Sequence, residues 1–462
     1  MTFEEQAQKI ASLEKENREL REKIGELERS LGLNSNNSSK PPSSDGLKKE
    51  KRSKSLRKES GKKSGGQKGH QGYTLEAKIE PDKIINHQTP SSCHRCGWDM
   101  TKEEEIEVIK RQVFEIPEPK IEVTEHQVGV KQCPHCQAKI KGKFPETVTA
   151  PVQYGERIKT CAGYLQQQHF IPEARVAEIF QDLWGCRLSK ATVGNISKIL
   201  AEKISPVIEE LKIKTQEAAS KHLDETGLRI EGKTNWLHVV ATNTLTWYRV
   251  SKTRKDLEPL SRIKGIVSHD HYKPYYQLPQ VQHSLCNAHH LRELKALIEI
   301  EGESWAKAME KLLLLANKYR HRYQSSVISQ AVRERLLKIY HVIVQRGLEY
   351  HQSLPPLTRK NNRGKIKRRK GHNLLRRLSN YDKDVLRFLH QSNAPFTNNQ
   401  AERDIRMMKC KQKISGGFRC FEGAEDFAAI RSFISTAKKQ GLNVLDALTS
   451  ALQGQPFVFS YT

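Results

Sequence analysis

The chain has 462 residues, with 79 Lys plus Arg against 53 Asp plus Glu and a formal net charge of +26. Its mean hydropathy is −0.70, and no run approaches the ~18 apolar residues of a membrane-spanning helix, so no membrane partner is expected. Lys and Arg that neutralise phosphates release condensed counterions, so a charge excess of this size points to nucleic acid.

At the amino-terminal end, MTFEEQAQKI has no basic stretch followed by an apolar one, and no secretory signal is expected. Ile10, Asn17, Ile24 and Leu31 recur every seven residues, and Leu13, Leu20 and Leu27 follow three positions on. These are heptad a and d positions. Ile at a with Leu at d suits a parallel pair of helices, and a buried Asn17 would set its register. Residues 1–33 therefore read as a coiled-coil dimerisation helix, the alternative being an amphipathic helix packed on its own protein. Residues 34–75 read as a basic flexible linker: NSNNSSKPPSSDG favours turns, and nine Lys or Arg fall between Lys48 and Lys63. The linker either folds along DNA or serves as a solvated tether.

Residues 76–150 hold two C-x-x-C pairs, Cys93 with Cys96 and Cys133 with Cys136. Two strand-like runs, 106–116 and 121–130, lie between them and are broken by Pro117 and Pro119. Two thiolate knuckles on a β-ribbon can offer four sulfurs to one tetrahedral Zn²⁺, so a zinc-ribbon-like region with structural Zn²⁺ is expected over a redox pair. Nine cysteines, an odd number, suit a reducing, cytoplasmic compartment. Residues 151–215 read as helical. A helix over 173–184, a turn at Gly185 and a second helix capped by Ser189 form a helix-turn-helix-like DNA-binding region or an ordinary helical hairpin.

Over residues 221–250 the periodicity becomes that of strands. HLDETGLRI, NWLHVVAT and TWYRVS predict three, and IKGIVSHD a fourth after an intervening helix. Residues 291–390 are mainly helical and contain a basic run, 359–370, with eight Lys or Arg in twelve residues. Lys367, Arg368, Arg369 and Lys370 at its end are candidates for phosphate contact. A last helix is predicted from Asn399 to Gly416–Gly417, and 441–462 reads as a tail. The whole is a multidomain α+β chain.

Three carboxylates stand out. Asp224 lies in the first strand, Asp270 at the end of the fourth between His269 and His271, and Glu402 in the first turn of the late helix. Along that helix Arg406, Lys409 and Lys413 share the face of Glu402, with Arg403 adjacent. A carboxylate beside a ladder of cations suits a metal next to a phosphate track, and hard oxygen ligands suit Mg²⁺. Glu225 would point to the opposite strand face from Asp224. Cys286 and His289 have half-site metal spacing with no second half in view. His289, His290 and Arg292 are expected to position DNA or brace the core.

HLDETGLRI (222–230), SHDHYKPYY (268–276), LCNAHHLREL (285–294) and NNQAERDIRMMKCKQKISGGFR (398–419), with the zipper, SGGQKGHQGYTL and paired cysteines upstream, resemble the IS66 family of bacterial insertion-sequence transposases. The resemblance runs along nearly the whole chain. It implies an RNase H-like α/β core, a mixed sheet flanked by helices, in two parts, 216–290 and 391–440, around a helical insertion at 291–390. It also implies an acidic triad of Asp224, Asp270 and Glu402 that holds Mg²⁺ or Mn²⁺, cleaves transposon ends and joins the 3′-hydroxyl to target DNA. Cys420 departs from the family pattern, where a small hydroxyl residue is expected. Implied partners are double-stranded DNA, a second copy or more of this chain, and companion proteins of the same element, in a nucleoid-associated setting. The rival readings are a non-catalytic DNA-binding regulator and a nuclease that hydrolyses without joining.

Overall fold

The computed structural model describes residues 2–34, 37–38, 69, 72, 74–323, 328–357, 367–455 and 459–460. Most of the 34–75 linker and residues 359–366 of the basic run lie outside them. The chain divides into two compact units, Ser53–Val123 and Met1–Arg52 with Thr124–Thr462.

Among the described residues of the smaller unit the backbone pairs at Ser92 and Asp99. The strand expected over 106–116 does not form, and the one over 121–130 is reduced to Val130 at the start of β1 (Val130–Gln132), which pairs with β2 (Lys139–Lys141). Pro117 and Pro119 supply no N–H to a ladder. Ile106, Val113 and Ile116 are exposed, so no packed face rewards pairing.

In the larger unit, α1 (Phe3–Gly32) starts on Thr2, whose hydroxyl accepts from the Glu5 N–H while the Glu5 side chain accepts from the Thr2 N–H. Its heptad residues are open to solvent, Ile10 at 58% and Leu27 at 64%. Near its carboxyl-terminal end Arg29 pairs with Glu301, and just beyond it Asn37 Nδ2 donates to Glu299 at 3.0 Å.

Three helices follow: α2 (Glu156–Gln167), α3 (Glu173–Trp184) and α4 (Lys190–Glu217). Gly185, at φ +62°, ends α3, and the Ser189 hydroxyl accepts from the Thr192 N–H to start α4, both where the residues predict. α4 runs further than expected, through Pro206. Val193 and Ile196 pack near α2 and α3, and Leu200, Ile204, Ile208 and Leu211 pack on the sheet.

That sheet has the order β5-β4-β3-β6-β7, from β3 (Ser220–Ile230), β4 (Lys233–Ala241), β5 (Thr246–Ser251), β6 (Gly265–His269) and β7 (Val281–Leu285). β3, β4 and β5 are antiparallel, and β6 and β7 run parallel to β3. Glu231 and Gly232, both at positive φ, make the tight β3–β4 turn. The helix expected before β6 is a single 3₁₀ turn, Glu258–Leu260, opened by Pro259. β7 was not legible in the sequence: VQHSL has little apolar alternation, and only its last residues are buried.

Beyond β7 come α5 (Asn287–Glu301), α6 (Ser304–Arg322), α7 (Gln330–Ser353), α8 (Lys370–Asn380) and the short α9 (Asp382–Val385) and α10 (Arg387–His390). They share a core of Leu294, Leu297, Met309, Leu313, Tyr340 and Leu375. α11 (Asn399–Ser415) covers one sheet face through Ala401, Ile405 and Met408, against Leu228, Leu237 and Val239. It is not the last helix. α12 (Phe421–Lys439) buries Ile430, Phe433 and Ile434 on the other face beside α4, and α13 (Val444–Leu452), within the expected tail, buries Ala447, Leu448 and Ala451 there too.

Candidate active site

Strand alternation divides β3 between the two faces. Leu228 and Ile230 face α11, and Leu223 faces the core under α4 and α12. Asp224 has the parity of the α11 face and Glu225 that of the other. Glu225 accordingly accepts from Tyr275 Oη, a residue of that second core, and from Arg254 Nε at 2.9 Å and Nη2 at 2.6 Å. Arg254 is itself stacked on Tyr272, 4.2 Å from the ring centre.

The parallel register brings Asp270 to Asp224. Ser220, Lys221 and His222 pair with Ile266, Val267 and Ser268, and the same register extended two residues past His222 sets 224 against 270. Asp270 sits just beyond β6, its Oδ1 accepting from the Tyr272 N–H at 3.1 Å. His271, at φ +73°, turns the chain there. The two flanking histidines face inward. His269 packs edge-on against Tyr275, Tyr276 and His283, and His271 against Tyr276 and Tyr381. Burial pushes His271 down to about 4 and His269 well below the usual imidazole range, so both are neutral braces.

Glu402 enters from the first turn of α11. Its Oε1 lies 3.6 Å from His289 Nδ1, 3.7 Å from Arg292 Nη2 and 4.0 Å from Cys286 Sγ, and its Oε2 lies 3.9 Å from Arg406 Nη2. The three acids share one electrostatic environment. Burial raises the Asp224 carboxyl well above its ordinary range, and Glu225, Asp270 and Glu402 push it further, against one N–H, that of Glu225, which holds Oδ1 at 2.9 Å. Among the described residues, the group whose donor atoms all lie within 4.8 Å of one another is Cys286, His289 and Glu402, and Asp224 and Asp270 stand outside it. Burial holds His289 down at about 3 and the Cys286 thiol up at about 11, with Glu402 adding to the latter.

Asn398 was not singled out from the sequence. It is fully buried. Its Nδ2 donates to the Leu223 carbonyl at 2.7 Å, its Oδ1 meets His222 Nδ1 at 2.9 Å, and its N–H points at Cys286 Sγ at 3.1 Å. One residue, through its side chain and its backbone N–H, thus ties β3, the start of α5 and the start of α11 together. Its only sequence signal is an Asn just before a helix, a common capping choice.

Of the expected phosphate-contact residues, Arg403, Arg406, Lys409 and Lys413 are all exposed on α11. Lys367, Arg368 and Lys370 are exposed at the start of α8, and Arg369 lies in the field of Glu303 and His351. The 367–370 cluster is therefore a separate basic patch; the cations beside Glu402 are Arg292 and Arg406.

Each cysteine pair forms a tight knuckle. The Gly97 N–H returns to the Cys93 carbonyl and the Cys93 N–H to Trp98. The Gln137 N–H returns to Cys133 and the Cys133 N–H to Ala138. Gly97 and Gln137 both take positive φ. Backbone N–H groups of Arg95 and Cys96 lower the Cys93 thiol, and those of Cys136 and His135 lower the Cys133 thiol. N–H groups aimed at sulfur favour thiolates, which is the ligand chemistry of structural zinc.

No helix among the described residues is long and apolar enough to cross a membrane. No curated protein matches the chain. Three family models do: one described as Transposase IS66 family over residues 151–426, one as zinc-finger binding domain of transposase IS66 over 90–137, and a family of unknown function over 2–76.

Proposed function

The chain belongs to the transposase IS66 family, and on that premise we propose that it cuts phosphodiester bonds at transposon ends and joins the freed 3′-hydroxyl to target DNA. The core is of RNase H type, with Asp224, Asp270 and Glu402 as its acidic triad. One observation carries the reading: Asp224, half-buried and opposite Asp270, is loaded with the negative charge of Glu225, Asp270 and Glu402. Carboxylates gathered this way are stable together when a cation joins them.

Bound Mg²⁺ or Mn²⁺ supplies the positive charge that an anionic phosphate needs before it accepts a nucleophile. The hard oxygens of Asp224, Asp270 and Glu402 would hold it, with water and phosphate in the remaining positions. Asn398 presents the strand and helix acids in a fixed relation, so little ordering is left to the reaction. Water attacks the end phosphodiester and releases the 3′-hydroxyl; that hydroxyl then attacks target phosphorus and releases a target 3′-oxygen. Each step exchanges one P–O bond for another. Arg403, Arg406, Lys409 and Lys413 track the DNA backbone, and Lys367 to Lys370 add a second patch.

Structural Zn²⁺ is held through the cysteine knuckles of the zinc-finger region, and α3 with α4 reads end sequence as a helix-turn-helix. The exposed heptad face of α1 docks on a second copy, as holding two transposon ends requires. Leu20→Glu with Leu27→Glu should convert a dimer to a monomer in light scattering; unchanged mass would remove the pairing. Companion proteins of the element and a nucleoid setting complete the reading.

The deciding experiment incubates full-length protein with labelled end DNA and a supercoiled target in Mg²⁺. Joined products are expected and should vanish in chelator. Hydrolysis without joining would make it a nuclease, and end binding with neither product would make it a regulator.

A further inference from the structure

We propose that Cys286, His289 and Glu402 form a binding site for a thiophilic divalent cation of the zinc class, distinct from the cysteine knuckles. Cys286 caps α5 and His289 lies in its first turn, so the i, i+3 spacing puts both on one helix face. Glu402 supplies the missing half from α11, 116 residues beyond Cys286. The donor atoms lie within 4.8 Å of one another, with 3.6 Å between His289 Nδ1 and Glu402 Oε1 and 4.0 Å between Cys286 Sγ and the same oxygen. Tetrahedral zinc at ordinary bond lengths sets such separations at about 3.3–3.6 Å, so side-chain shifts of a few tenths of an ångström to about one ångström close the site.

A hydrogen-bonded triad would leave no imidazole nitrogen idle. Here His289 Nδ1 is buried without a hydrogen-bond partner among the described residues, and it faces the carboxylate from too far to bond it. The Asn398 N–H aimed at Cys286 Sγ is the support a thiolate ligand needs. Sulfur, imidazole and carboxylate together select zinc over Mg²⁺, and three protein ligands leave a fourth position for water. Binding releases the Cys286 thiol proton to solvent and forms the metal–sulfur bond.

Resting on the proposed function, a consequence follows. A Glu402 carboxylate drawn to this cation through Oε1 is a poorer ligand for Mg²⁺, so occupancy pulls it from the acidic triad and inhibits the enzyme.

The test measures zinc per chain in full-length protein dialysed against weak chelator, with no DNA present. Cys286→Ala and His289→Ala should each hold one fewer zinc than wild type, and a Cys93→Ala chain should keep the zinc that depends on Cys286. Equal zinc in wild type and in folded His289→Ala protein would overturn the site, and that variant keeps the test valid if Cys286→Ala does not fold. Micromolar Zn²⁺ should suppress Mg²⁺-dependent joining by wild type at least about ten-fold and His289→Ala far less. Equal suppression of both would overturn the inhibitory role. Zinc content is read without catalysis, so its failure and a failure of the joining assay are separate results.

Discussion

Asp224→Asn should lose both end cleavage and strand joining, by several kcal/mol of transition-state stabilisation or on the order of 10³-fold, while binding end DNA as wild type does. The substitution keeps the shape of the side chain and removes one charged, hard oxygen from the place where β3 meets the end of β6. In chelator the same variant should melt higher than wild type. Burial beside Glu225, Asp270 and Glu402 makes ionised Asp224 costly without a cation, and Asn abolishes that cost. Mg²⁺ should then raise the melting temperature of wild type and leave the variant nearly unmoved. Cleavage at the wild-type rate by a folded Asp224→Asn protein would remove this residue from the mechanism, and lower stability in chelator would refute its electrostatic account.

Acid should unfold the core well above the pH at which carboxylates titrate. His222 and His238 are buried, which pushes each down to about 4, and His269 and His290 lie well below the ordinary imidazole range for the same reason. The sign follows from linkage. The folded protein holds these rings neutral, and the unfolded chain takes up protons near pH 6.5. Their contribution is therefore full above about pH 6.5 and is lost as pH falls towards about 4. For His222 and His238 the loss at pH 5 is about 2 kcal/mol each, a large fraction of a typical domain's stability. Asp224 acts in the opposite sense: its raised carboxyl contributes most below its unfolded value and loses that contribution as pH rises. Denaturant titrations of the Asp224→Asn chain between pH 7 and 4.5 remove the Asp224 contribution, and the comparison with a histidine variant isolates that ring. His238→Gln should flatten the slope by about one proton, or about 1.4 kcal/mol per pH unit. A flat profile over that interval would show that the rings are already protonated in the fold.

One residue that no local pattern marks as special ties these parts of the core together. Asn398 binds the Leu223 carbonyl beside Asp224, His222 beside that, and the sulfur at the start of α5, three residues upstream of His289. Arg254 and Tyr275 are similar cases, since their role appears only once both are seen to hold Glu225.

By itself the sequence determined what local physics controls. Heptad spacing places α1, Gly185 and Ser189 bound α3 and α4, alternation locates β3 to β6, and the tight C-x-x-C turns announce their knuckles. Periodicity and capping act over a few residues, so they can be read from a few residues. The tertiary structure decided which distant groups share a space. It set Asp224 against Asp270 through a parallel register. It joined Glu402 to Cys286 and His289 across 116 residues, and it placed α13 in the core where a tail was expected. Such meetings follow from sheet order and the packing of helices on its two faces, and neither leaves a local pattern in the chain.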